Sequence, residues 1–107
     1  MGSVQIHIVD ATERLDAASV TEFKVTSKAI IDKDDALVIV DFTHTKFIDS
    51  AGLGALVSIL KSASQHENVK VALVALSPQI NQIFELTKLY RLFDIYANVD
   101  EAEAALA

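Results

Sequence analysis

Cysteine is absent from the 107 residues. That removes disulfides, thiolate nucleophiles and thiolate metal sites together, and it suits a reducing cytoplasm. Positive charge is scarce as well: 9 Lys and Arg stand against 15 Asp and Glu, a net charge of −6, with no long basic run. Such a chain repels a phosphate backbone, so no nucleic-acid partner is expected, and an anionic membrane surface is disfavoured on the same ground. No apolar stretch is long enough to span a bilayer, so direct membrane insertion is not expected. The start of the chain lacks a basic segment followed by an apolar core, so no signal peptide is expected either. Met1-Gly2-Ser3 reads as a cloning remnant. Gly2 is not read as a myristoylation site, because Ile6 stands where Ser or Thr is needed.

Catalytic signatures are missing too. There is no Gly-x-x-x-x-Gly-Lys loop and no dinucleotide fingerprint. A nucleophile elbow would need Gly at position 48, which is Ile48. His7, His44 and His66 are far apart and match no metal spacing; His7 is expected on the polar face of a strand. Asp34-Asp35 falls in a polar break and reads as a solvated turn. The expectation is therefore a non-enzyme that needs no cofactor and no metal.

What is present suits one α/β domain over residues 1–107: 51% of residues are hydrophobic and 22% charged, so disorder is not expected. Val4–Val9 alternates apolar and polar residues, as a half-buried strand does. A turn and a short second strand are expected around Asp10–Arg14. Asp16 and Ser19 are rival N-caps for a first helix, and Ser19 is preferred because Glu22 completes capping-box spacing. Val20, Phe23, Ser27, Ile30 and Ile31 share a face of that helix, and Asp32–Asp35 ends it. Ala36–Val40 and Val69–Leu76 are continuous apolar runs, the pattern of central strands covered on both faces. Between them a helix is expected from Ser50 to about Gln65, with Leu53, Leu56, Val57 and Leu60 inward, which makes the flanking strands a parallel pair. Ser77-Pro78 starts a third helix with Ile80, Ile83, Phe84 and Thr87 inward. Phe93–Tyr96 reads as a short last strand, and Asn98–Glu101 as the capping box of a terminal helix. The sum is a ββαβαβαα-like order with one late strand: a mixed, mostly parallel sheet of four to five strands packed with about four helices.

Phe47-Ile48-Asp49-Ser50-Ala51-Gly52-Leu53-Gly54 carries the most information. It follows a central strand and enters a helix, the place where α/β sheets collect functional groups. A helix N-terminus offers free N–H groups and a positive dipole end, which stabilise an anion such as a serine-borne phosphate. Gly52 and Gly54 cost roughly 1 kcal/mol each in helix propensity, so two of them in a first turn suggest close approach by another backbone, a partner or a loop.

Asp49–Gly54 resembles the Asp-Ser-x-Gly-Leu-Gly signature of STAS domains in bacterial anti-sigma factor antagonists. Leu15-Asp16-Ala17, Leu37–Asp41, Leu92–Tyr96 and Glu101-Ala102 resemble that family's flanking patterns in the same order. Two glycines usual in the family are replaced here, by Glu13 and by Lys88, and the N-terminal strand pair is short.

The resemblance implies a STAS fold, with Ser50 as the phosphorylated serine and Asp49, Ser50, Ala51, Gly52, Leu53 and Gly54 as the partner-docking site, joined by Thr43, His44 and Thr45 in the neighbouring loop. It implies a cytoplasmic partner-switching module. The unphosphorylated form binds an anti-sigma factor that is also a serine kinase, phosphorylation of Ser50 releases it, and a serine phosphatase resets it. The alternative is a STAS scaffold or transporter-associated subunit that docks on an ATPase through the same helix end. A nucleotide or small-ligand sensor at the same strand ends is the weakest expectation.

Overall fold

Two continuous apolar runs organise the molecule. The computed structural model describes residues 4–107, so the reading of Met1-Gly2-Ser3 lies outside the described residues. The elements follow as β1 (Gln5–Asp10), β2 (Arg14–Leu15), α1 (Val20–Ile31), β3 (Ala36–Asp41), β4 (Phe47–Ile48), α2 (Ser50–Ser64), β5 (Val69–Val74), α3 (Pro78–Leu86), a 3-10 turn (Leu89–Arg91), β6 (Asp94–Tyr96) and α4 (Val99–Leu106). The main sheet has the order β1-β3-β5-β6, and β2 pairs with β4 in a small second sheet. Every pairing among these strands is parallel. The α/β class and the four helices stand as read; the antiparallel member of a mixed sheet is not found among the described residues.

Parallel strands need covering on both faces, and the two apolar runs supply it. Val38, Val40, Val71 and Leu73 point to one side, where α1, α2 and α3 bury Phe23, Ile31, Leu56, Ile59, Ile80 and Phe84 on them. Phe84 meets Phe42 and Phe93 edge to face, at centroid distances of 6.5 and 6.0 Å. Leu37, Ile39, Ala72 and Val74 point to the other side, where α4 alone covers them through Ala102, Val99 and Leu106.

Several local expectations are corrected. On β1, His7 is half-buried and Val9 buried, while Ile6 and Ile8 are exposed, so the polar residues of the alternation do not mark its outer face. The reason is coverage: α1 lies over the His7/Val9 side, whereas α4 packs over β3, β5 and β6. Ser19 does stand at the N-cap of α1, but its side chain caps nothing in the helix. Its hydroxyl donates to the Arg14 carbonyl at 2.7 Å and accepts from Asp16 N–H at 3.1 Å, which braces the preceding loop. The inward stripe of α2 is turned by about a residue from the one expected: Gly52, Ala55, Leu56, Ile59 and Ala63 are buried, and Leu53, Val57 and Leu60 flank them. Thr87 is exposed and closes α3 by donating to the Ile83 carbonyl at 2.7 Å.

The N-caps of the later helices form as expected, although Glu101 closes on the residue before the cap, Ala97, rather than on Asn98 itself. Ser77 accepts from Ile80 N–H at 3.2 Å ahead of Pro78. Asn98 accepts from Glu101 N–H at 2.9 Å, and the Glu101 carboxylate reaches back to Ala97 N–H at 3.2 Å.

Candidate functional site at the start of helix α2

The carboxyl ends of parallel strands share one rim, and β4 delivers the chain from that rim into α2. Asp49 is the N-cap. Its extended backbone (φ −113°, ψ −173°) lets its side chain accept from Gly52 N–H at 2.9 Å. Its own N–H donates to the Leu15 carbonyl at 3.3 Å, and its carbonyl takes Leu53 N–H at 3.0 Å. Ser50 is therefore the first helical residue, and its side chain is exposed. The N–H groups of Ser50 and Ala51 have no intrahelical acceptor by their position in the first turn. An anion at Ser50 would meet those donors and the positive end of the helix.

The two glycines of this turn do different work. A Cβ on Gly52 would lie 2.1 Å from the Leu15 carbonyl oxygen and 2.7 Å from Ile48 Cγ1. Gly52 is thus what lets the helix rest directly on the backbone of β2. A Cβ on Gly54 would meet nothing within 4 Å. Gly54 is exposed and lies one turn from Ser50, on the same face. No contact within the fold asks for glycine at position 54, and the helix is weaker for it.

The neighbouring loop divides as well. Thr43 and His44 are exposed. Thr43 is tied to Asp41, whose carboxylate accepts from its N–H at 2.9 Å and from its hydroxyl. Thr45 is buried, with 3% of its surface exposed, and its hydroxyl donates to the Thr12 carbonyl. It lies beneath the surface that the sequence reading assigned it to. The loop is further fastened by Lys46 N–H on the Glu13 carbonyl at 2.8 Å.

Arg14 escaped the sequence reading, and Phe47, read there as part of the motif segment, was not assigned to the docking site. Arg14 and Phe47 are register partners on β2 and β4. The Arg14 guanidinium stacks 4.3 Å from the centroid of the Phe47 ring, and its Nε–H donates to Asp16 at 3.1 Å. That hydrogen bond holds the Asp16 carboxyl below the usual carboxylate range. Phe47 remains 40% exposed, so an aromatic surface stands three residues before Ser50. The available signal was an aromatic directly before Ile48-Asp49 in a two-residue strand, too short to show which face it presents.

One other candidate lies apart from this site, and a second adjoins it through Thr43. His66 sits 3.8 Å from an Asp32 carboxylate oxygen, between the ends of α2 and α1. A shallow cavity of about 260 Å³ at the rim is lined by Asp41, Thr43, Ala75, Asn98 and Asp100, and its two carboxylates oppose a nucleotide phosphate. Among the described residues, no group of three or more His, Asp or Glu is placed to hold a metal ion, and no helix is long and apolar enough to cross a membrane.

A parallel sheet with helices on both faces, a small second sheet at its rim and a capped Asp-Ser helix start together define a STAS-type domain. The sequence matches the STAS domain family over residues 2–102, and the chain belongs to that family. It is similar to BtrV of Bordetella bronchiseptica, named as an anti-sigma factor antagonist, with 28% identity over 85% of this chain and 77% of the relative. It shares 28% identity with the anti-sigma-B factor antagonist of Listeria monocytogenes, over 76% of this chain and 70% of the relative. Among solved structures it resembles a Thermotoga maritima protein described as an anti-sigma factor antagonist: TM-score 0.80 and 26% identity, over 92% of this chain and 86% of that one.

Proposed function

We propose that this chain is an anti-sigma factor antagonist, a binding module of the cytoplasm that a serine kinase switches off at Ser50. The observation that carries the reading is the pairing of an exposed Ser50 at the first position of α2 with an exposed Gly54 that nothing inside the fold explains. A bare backbone one turn below the serine suits a partner that comes closer than a Cβ allows. The names of the relatives point the same way. The docking face comprises Ser50, Ala51, Leu53 and Gly54, with Thr43 and His44 beside them. Asp49 and Gly52 act from beneath, as the cap and the seat of the helix, and Thr45 holds the loop.

The partner is an anti-sigma factor with serine kinase activity, and a serine phosphatase restores the free form. A phosphate on Ser50 brings about −1.5 to −2 charges next to Asp49, which repels it, and onto a helix end, which attracts it. These effects oppose within the fold, so the change is felt at the partner surface as bulk, desolvation and like charge. The test is a binding titration against the anti-sigma kinases of the source genome. Ser50→Ala is expected to bind as the unsubstituted chain does, and Ser50→Asp at least ~10-fold more weakly, about 1.4 kcal/mol. Equal affinities for the two variants, or no kinase that binds either, would overturn the reading.

A further inference from the structure

The two edges of the main sheet are unlike. β6 contributes three residues to one edge. β1 presents six to the other, without lysine or proline, and its register with β3 runs unbroken from Gln5 to Asp10. Lysines, prolines, bulges and short strands are the usual means of keeping an edge from pairing, and β1 has none of them.

The register also fixes which backbone groups are free. Gln5 N–H donates to the Asp35 carbonyl and Ala11 N–H to the Asp41 carbonyl, both at 2.9 Å, so the odd-numbered residues of this strand face β3. Alternation along the strand turns the N–H and C=O groups of Ile6, Ile8 and Asp10 away from the sheet. The same even-numbered positions hold uncovered apolar surface: Ile6 is 39% and Ile8 56% exposed. They lie beside Leu37 and Ile39 in register, on the face where α4 covers those two.

We propose that β1 pairs with β1 of a second copy of this chain, antiparallel, about a two-fold axis at His7. That register sets Ile6 against Ile8 of the second copy, and Ile8 against its Ile6. All four residues have outward N–H and C=O groups, so both are hydrogen-bonded pairs, and their side chains share one face. Asp10 falls opposite Val4, so the only carboxylate of the strand does not meet its counterpart. A foreign strand would have to bring a matching pattern, whereas a second copy already carries it. The result is one continuous sheet of twice the four strands of each copy. Because the pairing is antiparallel, the carboxyl rims point in opposite directions and both Ser50 sites stay open. The proposal does not depend on the role of Ser50.

A chain without cysteine lets the register be read one thiol at a time. In the proposed dimer the Cα atoms at position 7 stand about 4.5 Å apart, a separation that a disulfide bridges. His7→Cys is expected to cross-link into a dimer under mild oxidation. Gln5→Cys, which lies opposite Val9 of the second copy, is expected to stay monomeric. Sedimentation equilibrium from micromolar to millimolar concentration is expected to show the unsubstituted chain in monomer–dimer exchange. Ile8→Lys is expected to weaken that exchange by ~10-fold or more, and Val25→Lys, an exposed apolar site on α1, to leave it unchanged. A chain that stays monomeric throughout, a dimer indifferent to Ile8→Lys, or equal cross-linking of the two thiol variants overturns the proposal.

Discussion

Replacing either glycine of the α2 first turn by alanine makes the same chemical change in the same turn of helix, yet the two are expected to move stability in opposite directions. At Gly52 the new methyl group would lie 2.1 Å from the Leu15 carbonyl oxygen. Comfortable contact needs about 3.5 Å, so the helix start has to lift off β2 by roughly 1.4 Å. Overpacking of this kind costs about 1–3 kcal/mol, and the upper end applies because the obstacle is backbone. Alanine returns about 1 kcal/mol of helix propensity, which leaves a net loss of ~2 kcal/mol. For a domain of this size that lowers Tm by roughly 8–16 °C. At Gly54 the methyl group meets nothing, so only the propensity gain remains: about 1 kcal/mol and a rise of roughly 4–8 °C. Thermal and urea unfolding of the two variants beside the parent measures both effects. A Gly52→Ala variant as stable as the parent would refute the account of the helix seat. A Gly54→Ala variant less stable than the parent would mean that position 54 has a role within the fold, and the argument for a partner there would lose its support.

Two further predictions concern residues outside the helix start. Lys88 has φ 61°, in the left-handed region, where glycine is at ease. Lys88→Gly is expected to raise stability by about 0.5–1 kcal/mol, after allowance for the greater freedom of glycine in the unfolded chain, and urea unfolding reads it directly. Thr45→Val keeps the shape of the side chain but removes the donor to the Thr12 carbonyl. A loss of about 1 kcal/mol is expected in unfolding, with faster amide exchange in the 43–46 loop.

The parts of this fold legible in the sequence are those where one local signal sufficed. β3 and β5 declared themselves by unbroken apolar runs, α3 by Ser77-Pro78, and α4 by Asn98 and Glu101. The start of α2 at Ser50 was readable for the same reason. What was not legible depended on distant neighbours. Nothing in Val4–Val9 says that α4 stops short of β1, so the burial of His7 and the exposure of Ile8 were hidden. Ser19 and Glu22 have the spacing of a capping box, but the Arg14 carbonyl, brought near by the β2–β4 pairing, takes the serine hydroxyl instead. β4 has two residues, too few for any periodicity. The glycines of the motif suggested a close approach, and only the packing shows that Gly52 meets the chain itself while Gly54 leaves room for something else. At position 88, where the family usually has glycine, the resemblance marked only a departure; that the backbone there is left-handed is visible in the structure alone.

The contact between Gly52 and the Leu15 carbonyl also bears on how Ser50 can be reached. Most modifying enzymes thread a loose segment through their active site and read its side chains in order. Ser50 cannot be offered that way, because Asp49 and Gly52 on either side of it are fastened to β2 and to each other. Pulling the segment straight would strip a helix from the core. An enzyme that modifies Ser50 must accept it as one point on a folded surface, so its specificity resides in shape, and a short peptide copy of residues 47–54 would be a poor substitute for the domain.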